Sequence, residues 1–146
     1  MSFEYGRVGV AALAVGFDGS RSSYDALAYG AGMARRSDAL LVVAYVSGKG
    51  GMADLSAAVA AVAAQTWEDV AKEVAAEAGA VVEGTGVTWE FAWLHGEVAR
   101  ALERLACDRR LDAIVVGRSS GRLRHVLGTV PNRLVAHAPC PVIVVP

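Results

Sequence analysis

Val10-Ala-Ala-Leu-Ala-Val-Gly-Phe17, then Asp18-Gly19-Ser20, then a small-residue stretch from Ser22 to Arg36, then Leu40-Leu-Val-Val-Ala-Tyr-Val46: this passage decides the fold. Both apolar runs are short and rich in branched residues, which favours strand over helix. Neither alternates polar with apolar positions, as expected of strands buried on both faces. The segment between them, Ser22–Arg36, reads as a helix. Its Ala26, Ala28, Gly30 and Gly32 allow close packing on a sheet. The glycines lower helix propensity, so packing has to hold it. A strand, a helix and a second strand in that order imply a parallel pair joined by a crossover.

The same rhythm continues outward. Val87–Leu94, Ala113–Gly117 and Val142–Val145 read as further strands. Helices are expected over Asp54–Ala78, Glu97–Cys107 and Leu127–Ala136. In the longest, Val59, Ala63, Trp67, Val70 and Val74 form one apolar stripe at spacings of three and four. Gly79 is the expected stop. Ser47–Ala53, with Gly48, Gly50 and Gly51, reads as a loop after the second strand. Strict β/α alternation predicts an α/β class: a single Rossmann-like domain over 1–146, with a five-stranded parallel sheet and helices on both faces. No internal repeat, linker or second domain is evident.

Composition sets outer limits. The 146 residues are 54% hydrophobic, which excludes a disordered chain. A chain of this size buries roughly two thirds of its extended-chain surface. No uncharged apolar run reaches the ~18 residues of a membrane span. The first residues lack a basic segment followed by an apolar one, so a cytoplasmic location is expected. Cys107 and Cys140 are distant in sequence, which argues against a disulfide framework or a zinc site. The net charge of -1 hides an asymmetry. Residues 1–99 hold twelve acids against six bases; residues 100–146 hold three acids against eight bases, all arginine. Arg118, Arg122 and Arg124 cluster. Such a local patch suits a small anionic ligand better than nucleic acid, or is simply a solvated loop.

Open α/β sheets bind ligands beyond the carboxyl ends of their strands, where strand order reverses. The residues following each strand are therefore the candidates. Asp18-Gly19-Ser20 follows the first strand. Asp18 caps the next helix or accepts hydrogen bonds from a ligand. Gly117-Arg-Ser-Ser-Gly121 follows the fourth strand, and Gly128-Thr129 opens the last helix. Glycines let backbone N–H groups approach phosphate, and a helix start favours an anion. The plain alternative is a turn that only joins strand to helix.

Enzyme readings fare worse. Gly117-Arg-Ser119-Ser-Gly121 matches the G-x-S-x-G nucleophile elbow, but no Asp or Glu follows Asp112 to complete a triad in the required order. There is no G-x4-G-K-[ST], and Lys49 and Lys72 are the only lysines. His95 has no carboxylate nearby in sequence except Glu97. The chain is therefore read as a binding protein rather than an enzyme, although slow hydrolysis of a bound nucleotide stays open.

Val15-Gly-Phe-Asp-Gly-Ser20, Ala113-Ile-Val-Val-Gly-Arg-Ser119, Leu127-Gly-Thr-Val-Pro-Asn-Arg-Leu-Val135 and Ala138-Pro-Cys-Pro-Val-Ile-Val-Val145 resemble, in order, the opening turn, fourth strand, last helix and closing strand of universal stress proteins. The resemblance implies strand order 3-2-1-4-5 and an adenine nucleotide such as ATP as ligand. It implies that Asp18 contacts adenine, that Val46 lines the adenosine site, and that Gly117, Gly128 and Thr129 lie where ribose and phosphates are held; Gly121 of the same loop and Arg118 of the arginine cluster join them as binding candidates. This chain departs from the ATP-binding pattern G-x2-G-x9-G-[ST]. Ten residues separate Gly117 from Gly128 where the pattern has twelve, and Gly117-x3-Gly121 replaces G-x2-G. If the arginine cluster replaces part of that shortened cradle, affinity should rise from adenosine to AMP to ATP. Two readings follow: a nucleotide-binding regulatory protein, or an interaction module that does not bind ATP. Both are expected to be homodimers through Val142–Val145, an uncharged apolar strand at a sheet edge. The alternative is a monomer whose edge is covered.

Overall fold

A computed structural model describes residues 9–47, 57–118 and 129–146. Its strands are β1 (Ala12–Gly16), β2 (Leu40–Ser47), β3 (Trp89–His95), β4 (Ala113–Gly117) and β5 (Val142–Val145). Its helices are α1 (Arg21–Ser37), α2 (Ala57–Val82), α3 (Val98–Arg109) and α4 (Thr129–His137). All strand pairs are parallel, in the order β3-β2-β1-β4-β5. The α/β class, the single sheet and its order agree with the sequence reading.

Residue parity explains why the central strands lack polar alternation. Leu13, Val15 and Phe17 pack on one face with Leu27 and Ala31 of α1 and with Val74 and Ala78 of α2. Ala14, Val42 and Ile114 pack on the other with Leu102 of α3 and Leu134 of α4. Each central strand has a helix layer on both sides, so both parities are apolar. Gly30 permits a close contact: a Cβ there would lie 2.3 Å from Val15 Cγ2. α1 rests on β1 at that point because the residue has no side chain.

Capping sets the helix ends. The Ser20 side chain accepts from the Ser23 amide at the start of α1. Asp38 closes α1 in the left-handed region, φ 52°, donating its N–H to Ala34 and Arg35 carbonyls. At the amino ends of the strands, Asp112 Oδ2 accepts from the amides of Ala11 at 2.8 Å and Ala12 at 3.0 Å, tying the entry of β1 to that of β4.

Three expectations are corrected. β1 is shorter than Val10–Phe17, although Phe17 N still donates to Ala44 O at 2.9 Å. Gly79 does not end α2, which runs on to Val82. Gly79 instead brings the helix against β3, where a Cβ would lie 3.6 Å from the Trp89 ring. The chain leaves the helix through Gly84, φ 82°. Val70 is exposed, because the buried stripe passes through Ala71, Val74, Ala78 and Val82. The smaller Ala71 takes the inward position.

Candidate functional site

β1 and β4 are neighbours in the sheet, yet the helices that follow them pack on opposite faces. Their carboxyl ends are therefore the topological switch point, where a crevice must open. A cleft of about 230 Å³ lies there. Asp18, Val46 and Gly117, from the ends of β1, β2 and β4, all line it. Arg118 follows β4 and is exposed; its amide donates to Val145 O at 2.7 Å, extending the β4–β5 ladder. Thr129 opens α4 and is exposed, while the next residues, Val130 and Pro131, form cleft wall. Gly121 and Gly128, with Arg122 and Arg124, lie outside the described residues.

The turn after β1 is built by its own hydroxyls and amides. Ser20 N donates to Asp18 Oδ1 at 2.9 Å, and Gly19 takes φ 82°. Ser23 Oγ donates to Ser20 O at 2.8 Å, and Asp18 N donates to Ser23 Oγ at 3.3 Å. Ser20, not Asp18, caps α1. Asp18 organises the turn and presents its carboxylate at the cleft. Partial burial pushes that carboxyl up, but hydrogen bonds from Ser20 and Ser23 outweigh it and hold the group below the usual carboxylate range. Asp18 is thus ionised at neutral pH, an acceptor without a proton to give.

Gly117 has a second role. A Cβ there would lie 2.2 Å from the Ser22 carbonyl oxygen, so the first turn of α1 sits directly on the exit of β4. This packing requires glycine whether or not a phosphate is present.

Sequence reasoning missed the apolar walls. Val98 and Leu102 of α3 and Val130 and Pro131 of α4 close the cleft from the second helix layer. The available signal was position: each pair falls in the first turns of a helix that starts at the carboxyl edge. α3 is held there by Glu97, whose carboxylate caps it by accepting from Ala99 N at 3.0 Å and Arg100 N at 3.1 Å. Arg133 of α4 pairs with Glu103 at 3.3 Å and Glu97 at 3.7 Å, setting α4 against α3.

The neighbouring end of β2 and β3 is differently made. Trp93 Nε1 donates to Ser47 Oγ at 2.6 Å, and His95 Nδ1 lies 3.5 Å from the same oxygen. The two rings stack at an angle, with centroids 4.8 Å apart. Glu97 is engaged as a helix cap, so His95 has a hydroxyl rather than a carboxylate beside its ring. No group of three His, Cys, Asp or Glu among the described residues could hold a metal ion. No helix among them is long and apolar enough to cross a membrane.

A parallel sheet with helices on both faces and a cleft at its switch point is a doubly wound α/β fold. Residues 12–146 match the universal stress protein family, and the chain belongs to that family. It is 31% identical over 137 residues to Universal stress protein MJ0531 of Methanocaldococcus jannaschii, covering 88% of this chain and 77% of that one. Among solved structures it is similar to universal stress protein UspA from Lactobacillus plantarum, with TM-score 0.82 and 22% identity over 96% of this chain and 100% of that chain. It is also similar to a universal stress protein in complex with cAMP, with TM-score 0.71 and 25% identity over 95% and 98%.

Proposed function

We propose that this chain is a cytoplasmic regulatory protein that binds an adenine nucleotide, ATP or another, at the β1/β4 cleft and acts by binding rather than by catalysis. One observation carries the reading. Asp18, Val46 and Gly117 come from three separate strands and meet at one cleft at the switch point. The chemistry suits a base: an ionised acceptor at Asp18 for an exocyclic amine, and apolar walls for an aromatic ring. The cAMP bound by the solved relative supports adenine as that base. The ten-residue interval between Gly117 and Gly128 favours the second reading, an interaction module without ATP.

The protein acts as a homodimer through β5. Sheet edges behave differently here. On β3, Glu90 pairs with Arg109 of α3, a charge that guards the edge. On β5, Val142–Val145 carries no charge and every residue is partly exposed. Ile114 N donates to Pro141 O and Arg118 N to Val145 O. Parallel-ladder alternation then turns the amides of Val142 and Val144 outward, free to pair with a second copy. Native mass spectrometry of gently purified protein tests both parts at once. The expected species is a dimer retaining an adenine nucleotide, and Val144→Pro, which deletes one outward donor, should shift it to monomer. A nucleotide-free protein that takes up none when supplied leaves the interaction module; a wild-type monomer at tens of micromolar ends the dimer.

A further inference from the structure

The turn that carries Asp18 is held from two directions. Within α1, Tyr24 N donates to Ser20 O at 3.0 Å, so the backbone of Tyr24 is tied to the turn. Its side chain reaches a different helix. The Tyr24 hydroxyl donates to Glu77 Oε2 of α2 at 2.7 Å. That bond pushes the Tyr24 phenol above its ordinary value, so the hydroxyl keeps its proton at neutral pH. The same Glu77 oxygen lies beside Gly19: a Cβ there would come within 3.0 Å of it. Gly19 takes φ 82° and has no side chain of its own to fix the turn. Glu77 is exposed, yet Val74 and Ala78 on either side of it are buried in the core, which anchors this part of α2. The Tyr24 ring meets Phe17 edge on, with centroids 5.0 Å apart and planes at 85°. Phe17 and Asp18 both line the cleft, whereas Tyr24 and Glu77 are not among the described residues that do.

We propose that Tyr24 and Glu77 are positioning residues for ligand binding: through their hydrogen bond, α2 holds the Asp18–Gly19 turn and the Phe17 ring in the arrangement that a ligand meets. The proposal rests on the reading of the β1/β4 cleft as the nucleotide site and adds residues that do not touch the ligand. Preorganisation is the physical reason. A glycine turn without outside support samples other conformations. A ligand then selects the competent fraction, and its apparent affinity falls by that fraction. The brace acts from the face of the sheet that α1 and α2 share, while α3 and α4 close the cleft from the other face. Among the described residues α2 lines no part of the cleft; it reaches the site through Tyr24 and Gly19.

Calorimetric titration of AMP into the full chain decides, with the denaturation midpoint of each variant measured alongside. Tyr24→Phe keeps the ring against Phe17 and removes the hydroxyl. It should weaken AMP binding about two- to tenfold, the scale of one net hydrogen bond. Glu77→Ala should weaken it by a similar factor, and the double variant no further. Removing a negative charge by itself favours an anionic ligand, so a loss in Glu77→Ala runs against the charge and comes from the lost brace. Glu77→Gln keeps an acceptor for the hydroxyl and should bind at least as tightly as the wild-type chain. Lower midpoints with unchanged affinity of the folded chain make the pair a tie between helices and overturn the positioning role. Equal losses in Glu77→Gln and Glu77→Ala overturn the part given to the hydrogen bond. No AMP binding to the wild-type chain at millimolar concentration overturns the nucleotide reading, and the positioning role with it. Should Tyr24→Phe fold poorly, Glu77→Ala against Glu77→Gln still decides.

Discussion

The carboxyl edge of the sheet has two neighbouring ends that differ in kind. Over β1 and β4 it is open, lined by Asp18, glycine and apolar walls. Over β2 and β3, on the α2 side, Trp93, Ser47 and His95 satisfy one another. Chain direction explains the difference. β1 and β4 send their helices to opposite faces, so nothing among the described residues fills the gap between them. β2 and β3 are joined by α2, and their ends carry polar side chains that pair across the two strands. Polar groups already paired with each other have little left to offer a ligand; a carboxylate facing an unfilled cleft does.

Gly117→Val should break the open end most severely. A side chain there collides with the Ser22 backbone rather than with a movable group. Overpacking of this sort costs about 1–3 kcal/mol or more. The expected outcome in a denaturant titration is a lower midpoint together with lost ligand binding.

Asp18→Ala comes next. It should weaken adenine-nucleotide binding by roughly 5- to 150-fold, the cost of about 1–3 kcal/mol for an unmet buried hydrogen bond. Calorimetry reads this directly, and an unchanged affinity would return Asp18 to the role of turn former alone.

Trp93→Phe acts on the β2/β3 end. It removes the indole donor to Ser47 and should cost about 1 kcal/mol of stability while leaving ligand affinity unchanged. A loss of affinity in that variant would mean the two ends are not separate.

These effects also mark what the sequence could reveal. The placement of helices on both faces was legible because apolar runs of both parities demand a helix layer on each face, as Leu13 and Ala14 illustrate; the strand order came only from the family resemblance. Asp18 and Gly117 were legible by position after a strand. The end of α2 was not, because Gly79 serves close packing against Trp89 rather than a cap, and these uses of glycine look alike in one dimension. Pro131 and Val98 were missed because a wall is made by helices meeting in space. Ser47–Trp93–His95 joins residues 46 to 48 positions apart, a pairing visible only once β2 and β3 are in register.

The smallest expected effect is on pH. The Asp18 carboxyl is held below its ordinary value of 3.8 in the folded chain. Its contribution to stability is therefore complete above that value and is lost as pH falls below it through the folded pKa. Asp18→Asn should flatten that part of the acid-unfolding curve, measured by circular dichroism against pH. An identical curve would mean the Ser20 and Ser23 hydrogen bonds do not favour the ionised form.

The most direct test follows backbone and indole amide resonances while AMP is added to the 15N-labelled chain. Binding at the open end predicts saturable shifts at Asp18, Ser20, Val46 and Gly117, with the Trp93 indole N–H unmoved. Shifts that centre on Trp93 and His95, or none at millimolar AMP, would contradict it.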